Sequence, residues 1–392
     1  MGLPSRRLLA GVYIACGLLA GSVSFALGQS KNLEVFRHAS RALLAGRDLY
    51  DGSSVDWFKY SPTFALLFLP FAVMPAWLAA PLWGALNFGA SFIGIDAASR
   101  AGAAPHALET STRSRVTLLA ALPGILLATD GDQANLLVAG TMLLAFAAFE
   151  RNHLTRGASA VALGALVKVF PIAASLFALL HRDRERSVLR VLLVLVLGGA
   201  LPVVVLGSGQ LGEEYRSWLA LLRTDHATRG WSLVTVVRDL GGTTLHVQLF
   251  ACVMLLVPVL ASLVAPTNAR FRRAFAASML VLIVLSNHRS EYTSFVLSAI
   301  GVALWFADGL ATTPRIALLV LASLAHGPFF VRDDPALGGP FAFLAAHRLF
   351  HPLRLVPLVV VWLLLQRSLA SFVGERIAQR AAGRPSRENA AE

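Results

Sequence analysis

The chain has 392 residues, of which 56% are hydrophobic and only 14% charged, with a mean hydropathy of +0.66. Soluble domains carry about 25% charged residues, so a soluble enzyme, a secreted disulfide scaffold and a disordered chain are excluded together. The net charge of +12 comes from 34 basic against 22 acidic residues. In long apolar runs broken by short basic clusters, that excess reads as the positive-inside bias of a multi-pass membrane protein, not as a nucleic-acid surface.

Arg6 and Arg7 precede an apolar run from Leu8 to Leu27, about the ~20 residues that cross a bilayer. It reads as an uncleaved first helix, and the faint lipoprotein-like stretch Ile14–Gly17 does not alter that. A polar segment over residues 29–60 follows. Within it, Leu33, Phe36, Leu43 and Leu44 recur at helical spacing with Glu34, Arg37, His38 and Arg41 between them, predicting an amphipathic surface helix. Pro70 and Pro75 then predict a short half-helix before a full span from about Ala76. Further apolar segments lie at about 116–129, 134–149, 157–180, 191–207, 246–264, 274–286, 292–307, 316–330 and 353–366. Cys16 and Cys252 fall inside apolar runs and read as small core residues.

The 157–180 segment sits between two basic clusters, Arg151/Arg156 and Arg182/Arg184/Arg186/Arg190. Keeping both clusters inside requires the segment to enter and return, with the bend at Lys168-Val169-Phe170-Pro171. On this assignment the inner regions carry 20 basic and 9 acidic residues, and the outer regions 13 of each. Nearly the whole positive excess then falls on one side. The expectation is a plasma (inner) membrane protein with cytoplasmic termini, and with 29–60, 208–245, 287–291 and 331–352 facing out. Residues 1–382 form one membrane domain, and 383–392 form a disordered tail.

Polar clusters concentrate in the outer segments. Asp130-Gly131-Asp132-Gln133-Ala134-Asn135 lies between two apolar segments too short to span, which predicts a recess below the membrane surface. Asn287-His288-Arg289-Ser290-Glu291-Tyr292 marks another outer helix end, with more hydrogen-bonding groups than a turn needs. Arg223, Arg229, Trp231, Ser232 and Arg238 could meet an anionic, amphipathic ligand. Lys168, one of three lysines beside Lys31 and Lys59, stands in apolar surroundings. It either snorkels to an interface or pairs with an anion such as a lipid phosphate. No ligand-spaced cluster of histidines and carboxylates suggests a metal.

Taken in order, six segments resemble glycosyltransferase family 87, whose members have the GT-C fold and use polyprenyl-phosphate sugars. They are VFRHASRALLAGRDLYD, FKYSPTFALLFLPFAVMPAWLAAPLWGALN, GDQANLLVAG, ALGALVKVFP, GWSLVTVVRDL and SNHRSEYTSF. The resemblance implies an all-α bundle of about 10–12 transmembrane or re-entrant helices, with amphipathic helices in the outer loops. It also implies metal-independent, inverting transfer of a hexose, mannose in the best-known members. The donor would be a polyprenyl-phosphate sugar and the acceptor a lipid or glycan of the cell envelope. Membrane lipids are the other expected partners; no cofactor and no nucleic acid are expected.

Family members carry an Asp near the start of the first-loop helix as general base. Here Asn32 stands at that place, so Glu34, ranked first, and after it Asp48, Asp132 and Glu291 are the carboxylates that could serve, with Asn32 orienting a hydroxyl. Asp48, Lys59, Tyr60, Asp132, Gln133, Asn135, Ser232 and Arg238 are the expected substrate-binding residues, with Lys168, His288 and Arg289 for the phosphate. The rival readings are a transporter, against which no internal repeat is visible, and an inactive binding or scaffold subunit.

Overall fold

The computed structural model describes residues 2–52, 54, 56–101, 107–129, 132–224, 231–264, 267–309, 311–326 and 350–381. The expected outer loop 331–352 mostly falls outside them, as do Asp130, Gly131, Arg229 and the tail expectation for 383–392. The described residues form an all-α polytopic membrane protein with no strand among them. In chain order the helices are α1 (Arg6–Ala26), α2 (Lys31–Leu44), α3 (Pro62–Leu67), α4 (Leu69–Val73), α5 (Ala76–Arg100), α6 (Ala107–Ala128) and α7 (Asn135–Glu150). Then follow α8 (Leu154–Val167), α9 (Leu176–Leu180), α10 (Arg184–Ala200), α11 (Val203–Thr224), α12 (Leu233–Asp239) and α13 (Thr244–Val264). The last four are α14 (Ala269–Ser286), α15 (Phe295–Ala307), α16 (Thr313–Ala325) and α17 (Phe350–Ala381). Short 3-10 turns, Phe170–Ser175 and Tyr292–Ser294, lead into α9 and α15.

Four stretches are long and apolar enough to span alone: Arg6–Ala26, Ala76–Arg100, Thr244–Leu263 and Arg354–Ala378. The pair α10 and α11 qualifies only together and bends by 96°. Gly207, at φ +73°, breaks α11 inside that pair, a conformation that costs glycine least. The expected half-helix is present as α3 and α4, with the full span starting at Ala76.

Close helix approach depends on small residues. Gly17 and Gly21 of α1 face Gly84 and Ala80 of α5, and a Cβ at Gly17 would stand 2.5 Å from the Gly84 carbonyl oxygen. A Cβ on Gly94 of α5 would stand 2.6 Å from the Gly140 carbonyl oxygen of α7. Between apolar helices in lipid, such backbone-to-backbone packing supplies the attraction that water would supply elsewhere.

The bundle has two chemically different ends. At one, arginines pair with three carboxylates. Asp96 takes Arg6 at 2.9 Å and Arg100 at 2.7 Å, Asp308 takes Arg113 at 3.3 Å and Arg273 at 3.2 Å, and Glu150 takes Arg272. At the other lie α2 to α4, α11, α12 and the turn 287–292. Leu154 to Leu180 forms a re-entrant hairpin between them. Gly157 packs against the Phe149 ring, and His181 lies 6.3 Å from that ring, so both feet stand at the arginine end. The tip at Lys168 reaches the polar end beside Asn135. Both basic clusters flanking the segment therefore sit together, as the enter-and-return reading required.

Candidate functional site

Helix length creates the recess. The 16 residues of α7 and 14 of α8 give roughly 24 and 21 Å of helix, short of the ~30 Å apolar core. Asn87 Oδ1 accepts the Leu137 amide, and Trp83 Nε1 donates to the Asp132 carbonyl at 2.7 Å. The start of α7 thus lies level with residues 83–87 of α5, some 7 to 11 residues below Ala76. That is a depth of roughly 10–16 Å along the helix. The long helices α1 and α5 stand past it as a wall.

At the floor, Lys168 Nζ donates to Asn135 Oδ1 at 2.7 Å and to Gln133 Oε1 at 3.4 Å. The ammonium also stands 5.6 Å from the Tyr60 ring centre, and the Tyr60 hydroxyl donates to Gln133 Oε1 at 3.4 Å. Asn135 Nδ2 donates to the Thr293 carbonyl at 2.9 Å, fixing the amide so that its oxygen faces the lysine. Thr293 is two residues from Glu291, whose charge lies within electrostatic reach of both Lys168 and Tyr60. Trp231 N–H donates to the Ser290 carbonyl at 2.6 Å, tying the α12 loop to the same turn. The structure thus brings Tyr60, Gln133, Asn135 and Lys168 together from three separate parts of the chain, with Glu291 exposed in the nearby turn. A cation, two amides and a phenol meet there, with a carboxylate in the turn beside them. Such a set can hold an anion, hydrogen-bond hydroxyls and accept a proton.

The first loop is anchored by aromatic packing. Phe36 of α2 meets Tyr60, Phe64 and Phe68 at ring-centre distances of 4.7, 5.0 and 5.3 Å. Tyr50 donates its hydroxyl to the Tyr60 carbonyl at 2.8 Å, and the hydroxyl of Ser61 bonds the Leu166 carbonyl just below the hairpin tip. Asn32, one turn before Phe36, is half-buried, whereas Glu34 is exposed along with Lys31 and Arg41. Two residues on a helix are 200° apart, so Glu34 faces away from the side Asn32 presents. The expectation that Glu34 replaces the missing Asp needs a shift of register along α2. Glu291, exposed like Glu34, lies within electrostatic influence of Lys168 and Tyr60.

The other expected residues have local partners. Asp48 is exposed and accepts the Tyr50 amide at 2.8 Å. The Lys59 carbonyl accepts Trp218 Nε1 at 3.2 Å, joining α11 to the loop. Ser232 is buried and caps α12 by accepting the Val234 amide at 3.3 Å. Arg238 is exposed in the last turn of α12. His288 and Arg289 are half-buried in the turn whose Asn287 side chain accepts the Arg289 amide at 3.1 Å. Asp132 is buried beneath Trp83.

The sequence of glycosyltransferase family 87 matches residues 57–287, more than half of the chain. The chain belongs to glycosyltransferase family 87. It is therefore a glycosyltransferase of the membrane. No curated protein matches the chain closely. The family match contains the Tyr60, Gln133, Asn135 and Lys168 segments but stops before His288, Arg289 and Glu291, and begins after Asn32, Glu34 and Asp48.

Two residues that sequence reading passed over are unusual. Glu214 of α11 is only 4% exposed and accepts the Leu49 amide at 3.1 Å, so a buried carboxylate holds the end of the first loop. Arg354, also 4% exposed, lies 4.1 Å from the Trp231 ring centre and 4.5 Å from that of Phe295. Among the described residues none of its three guanidinium nitrogens has a hydrogen-bond partner. Its only sequence signal was a lone arginine at the start of an apolar run.

Proposed function

We propose that this protein transfers a hexose, with mannose as the first candidate, from a polyprenyl-phosphate donor to a lipid or glycan acceptor on the outer face of the membrane. The observation that carries the reading is the ammonium of Lys168, held at the tip of a re-entrant hairpin among Asn135, Gln133 and Tyr60. A cation below the membrane surface suits a phosphate whose hydrocarbon tail stays in lipid. The concentration of arginines at the opposite end of the bundle, as at cytoplasmic ends, supports the outer face.

An acceptor hydroxyl attacks the anomeric carbon from the side opposite the phosphate. The bond from that carbon to the phosphate oxygen breaks as the new glycosidic bond forms. Lys168 stabilises the charge left on the phosphate, and Glu291 accepts the hydroxyl proton. Gln133 and Asn135 hydrogen-bond sugar or acceptor hydroxyls, Asn135 through what its bonds to Lys168 and Thr293 leave open. Arg289, two residues before Glu291, adds positive charge near the leaving group, and His288 beside it offers a further hydrogen-bonding group.

The test is incubation of membranes containing the protein with labelled polyprenyl-phosphate hexoses, following the label into lipid and glycan fractions. Transfer that disappears in Glu291→Gln supports the reading. Specific donor binding with no transfer to any fraction would replace it with the scaffold reading, which the Asn32 position favours.

A further inference from the structure

A cavity of about 530 Å³ lies at the arginine end of the bundle, opposite the Lys168 recess, among α14, α15, α16 and α17. That volume is within the range of small-molecule sites. Arg270, Arg315 and Arg367 line it from three different helices, together with two carboxylates, Asp308 and Glu375. Asp308 is shared with Arg113 and Arg273, so the arginines around the cavity outnumber the carboxylates that oppose them. Arg315 is fixed in place. It stacks 3.9 Å from the Trp305 ring centre, bonds the Trp305 carbonyl and donates to the Phe306 carbonyl at 3.3 Å. Its Nε is buried and has no hydrogen-bond partner among the described residues. The remaining wall is apolar, formed by Leu304, Leu318, Leu364 and Phe372 among others.

We infer that this cavity binds the headgroup of an anionic phospholipid, with the phosphate among Arg270, Arg315 and Arg367 and the first methylenes of the acyl chains along the leucine wall. A guanidinium presents paired donors that match phosphate oxygens. A water-soluble anion gains nothing from the leucines, and a neutral lipid gains little from a surplus of positive charge. Basic pockets between helices at a membrane face have the features that select acidic headgroups. The site shares no residue with the Lys168 recess and does not rest on the sugar-transfer reading.

The full-length protein in neutral detergent is titrated with phosphatidylglycerol, with phosphatidylcholine and inorganic phosphate as parallel arms, and followed by its thermal unfolding midpoint. Phosphatidylglycerol should raise the midpoint while the other two leave it in place. The double variant Arg270→Gln/Arg367→Gln changes two exposed side chains and should keep its midpoint in phosphatidylcholine. Its apparent affinity for phosphatidylglycerol should fall at least tenfold. Ser371→Trp, which fills the cavity without altering charge, should have the same effect and covers the case in which the double variant folds poorly. Equal stabilisation by both phospholipids would overturn the inference, as would undiminished phosphatidylglycerol affinity in either variant. Inorganic phosphate acting as well as phosphatidylglycerol would overturn the lipid as the occupant.

Discussion

Replacing Lys168 by methionine keeps most of the apolar stem and removes the charge. Two contacts vanish, the 2.7 Å bond to Asn135 Oδ1 and the 3.4 Å bond to Gln133 Oε1. Asn135 stays anchored through Nδ2 to the Thr293 carbonyl, so the floor of the recess should keep its shape. A buried hydrogen bond contributes about 0.5–1.5 kcal/mol net, and removing the ammonium also removes the cost of its burial. Stability should therefore change by no more than about 1 kcal/mol. The effect on a phosphate ligand is larger, because a hydrogen bond to a charged group contributes about 1.5–3 kcal/mol. At 1.4 kcal/mol per tenfold, affinity for polyprenyl phosphate should fall roughly 10- to 150-fold. The assay titrates reconstituted protein with polyprenyl phosphate and, in parallel, with the uncharged polyprenol. Lys168→Met should weaken the first and leave the second alone. Equal losses for both lipids, or no loss in a variant with an unaltered melting midpoint, would refute the assignment of the phosphate to Lys168.

Glu291→Gln should lower turnover by roughly 10²–10⁴ with donor binding retained, the usual range for general-base catalysis; Glu34→Gln should change turnover little, and the reverse pattern in the same assay would restore Glu34 as the base. Gly140→Val should lower the melting midpoint, since its Cβ would run into the Ala90 carbonyl and stand 3.0 Å from the Ser91 nitrogen, an overpacking that typically costs 1–3 kcal/mol; Gly11→Ala, with nothing within 4 Å, is the matched control. His181, in the link between α9 and α10, has its pKa held below the ordinary 6.5, first by burial, and its Nδ1 accepts the Asp183 amide at 3.0 Å. The folded state disfavours the charged ring, so this group's contribution is intact above pH 6.5 and is lost as pH falls below it; His181→Asn should flatten the melting profile over that window. A cysteine at the exposed Asp56 should react with an impermeant maleimide in intact cells and one at Arg182 only after permeabilisation, and the opposite labelling would invert the proposed topology.

Much of the architecture was legible because the bilayer imposes strong rules on sequence. The two arginine clusters around residues 157–180 could share a side only if the chain turned back, and Pro171 after Lys168 supplied the bend. The first-loop helix was legible from the spacing of Leu33, Phe36 and Leu43, which are buried, although Leu44 of the same pattern is exposed and Arg37, set between them, is buried. What stayed hidden depends on helix faces and on contacts between distant segments. Asn32 and Glu34 are close in sequence, yet the 200° between them puts them on different faces of α2. Glu291 is more than 120 residues from Lys168, and the spacing of neither marks the other. Arg354, a lone arginine at the start of an apolar run, carries no signal in the sequence that Trp231 and Phe295 lie against it. The arginine-lined cavity requires α14, α15, α16 and α17 at once, and no local pattern announces it.

The hairpin from Leu154 to Leu180 has a consequence for how the protein is made. Neither arm is long enough to be recognised as a crossing, and the backbone leaves regular helix at Lys168, where lipid offers it no hydrogen bonds. It can persist at membrane depth only with α7 and α10 already beside it and with Ser61 capping the Leu166 carbonyl. Biogenesis is therefore ordered: the outer helices partition first, and the hairpin is drawn in last by its neighbours. A chain arrested after Leu180, before α10 has emerged, should leave residues 154–180 on the side from which it was synthesised. Defects in the loop around Ser61 should then surface as failed insertion of a segment that follows it by a hundred residues.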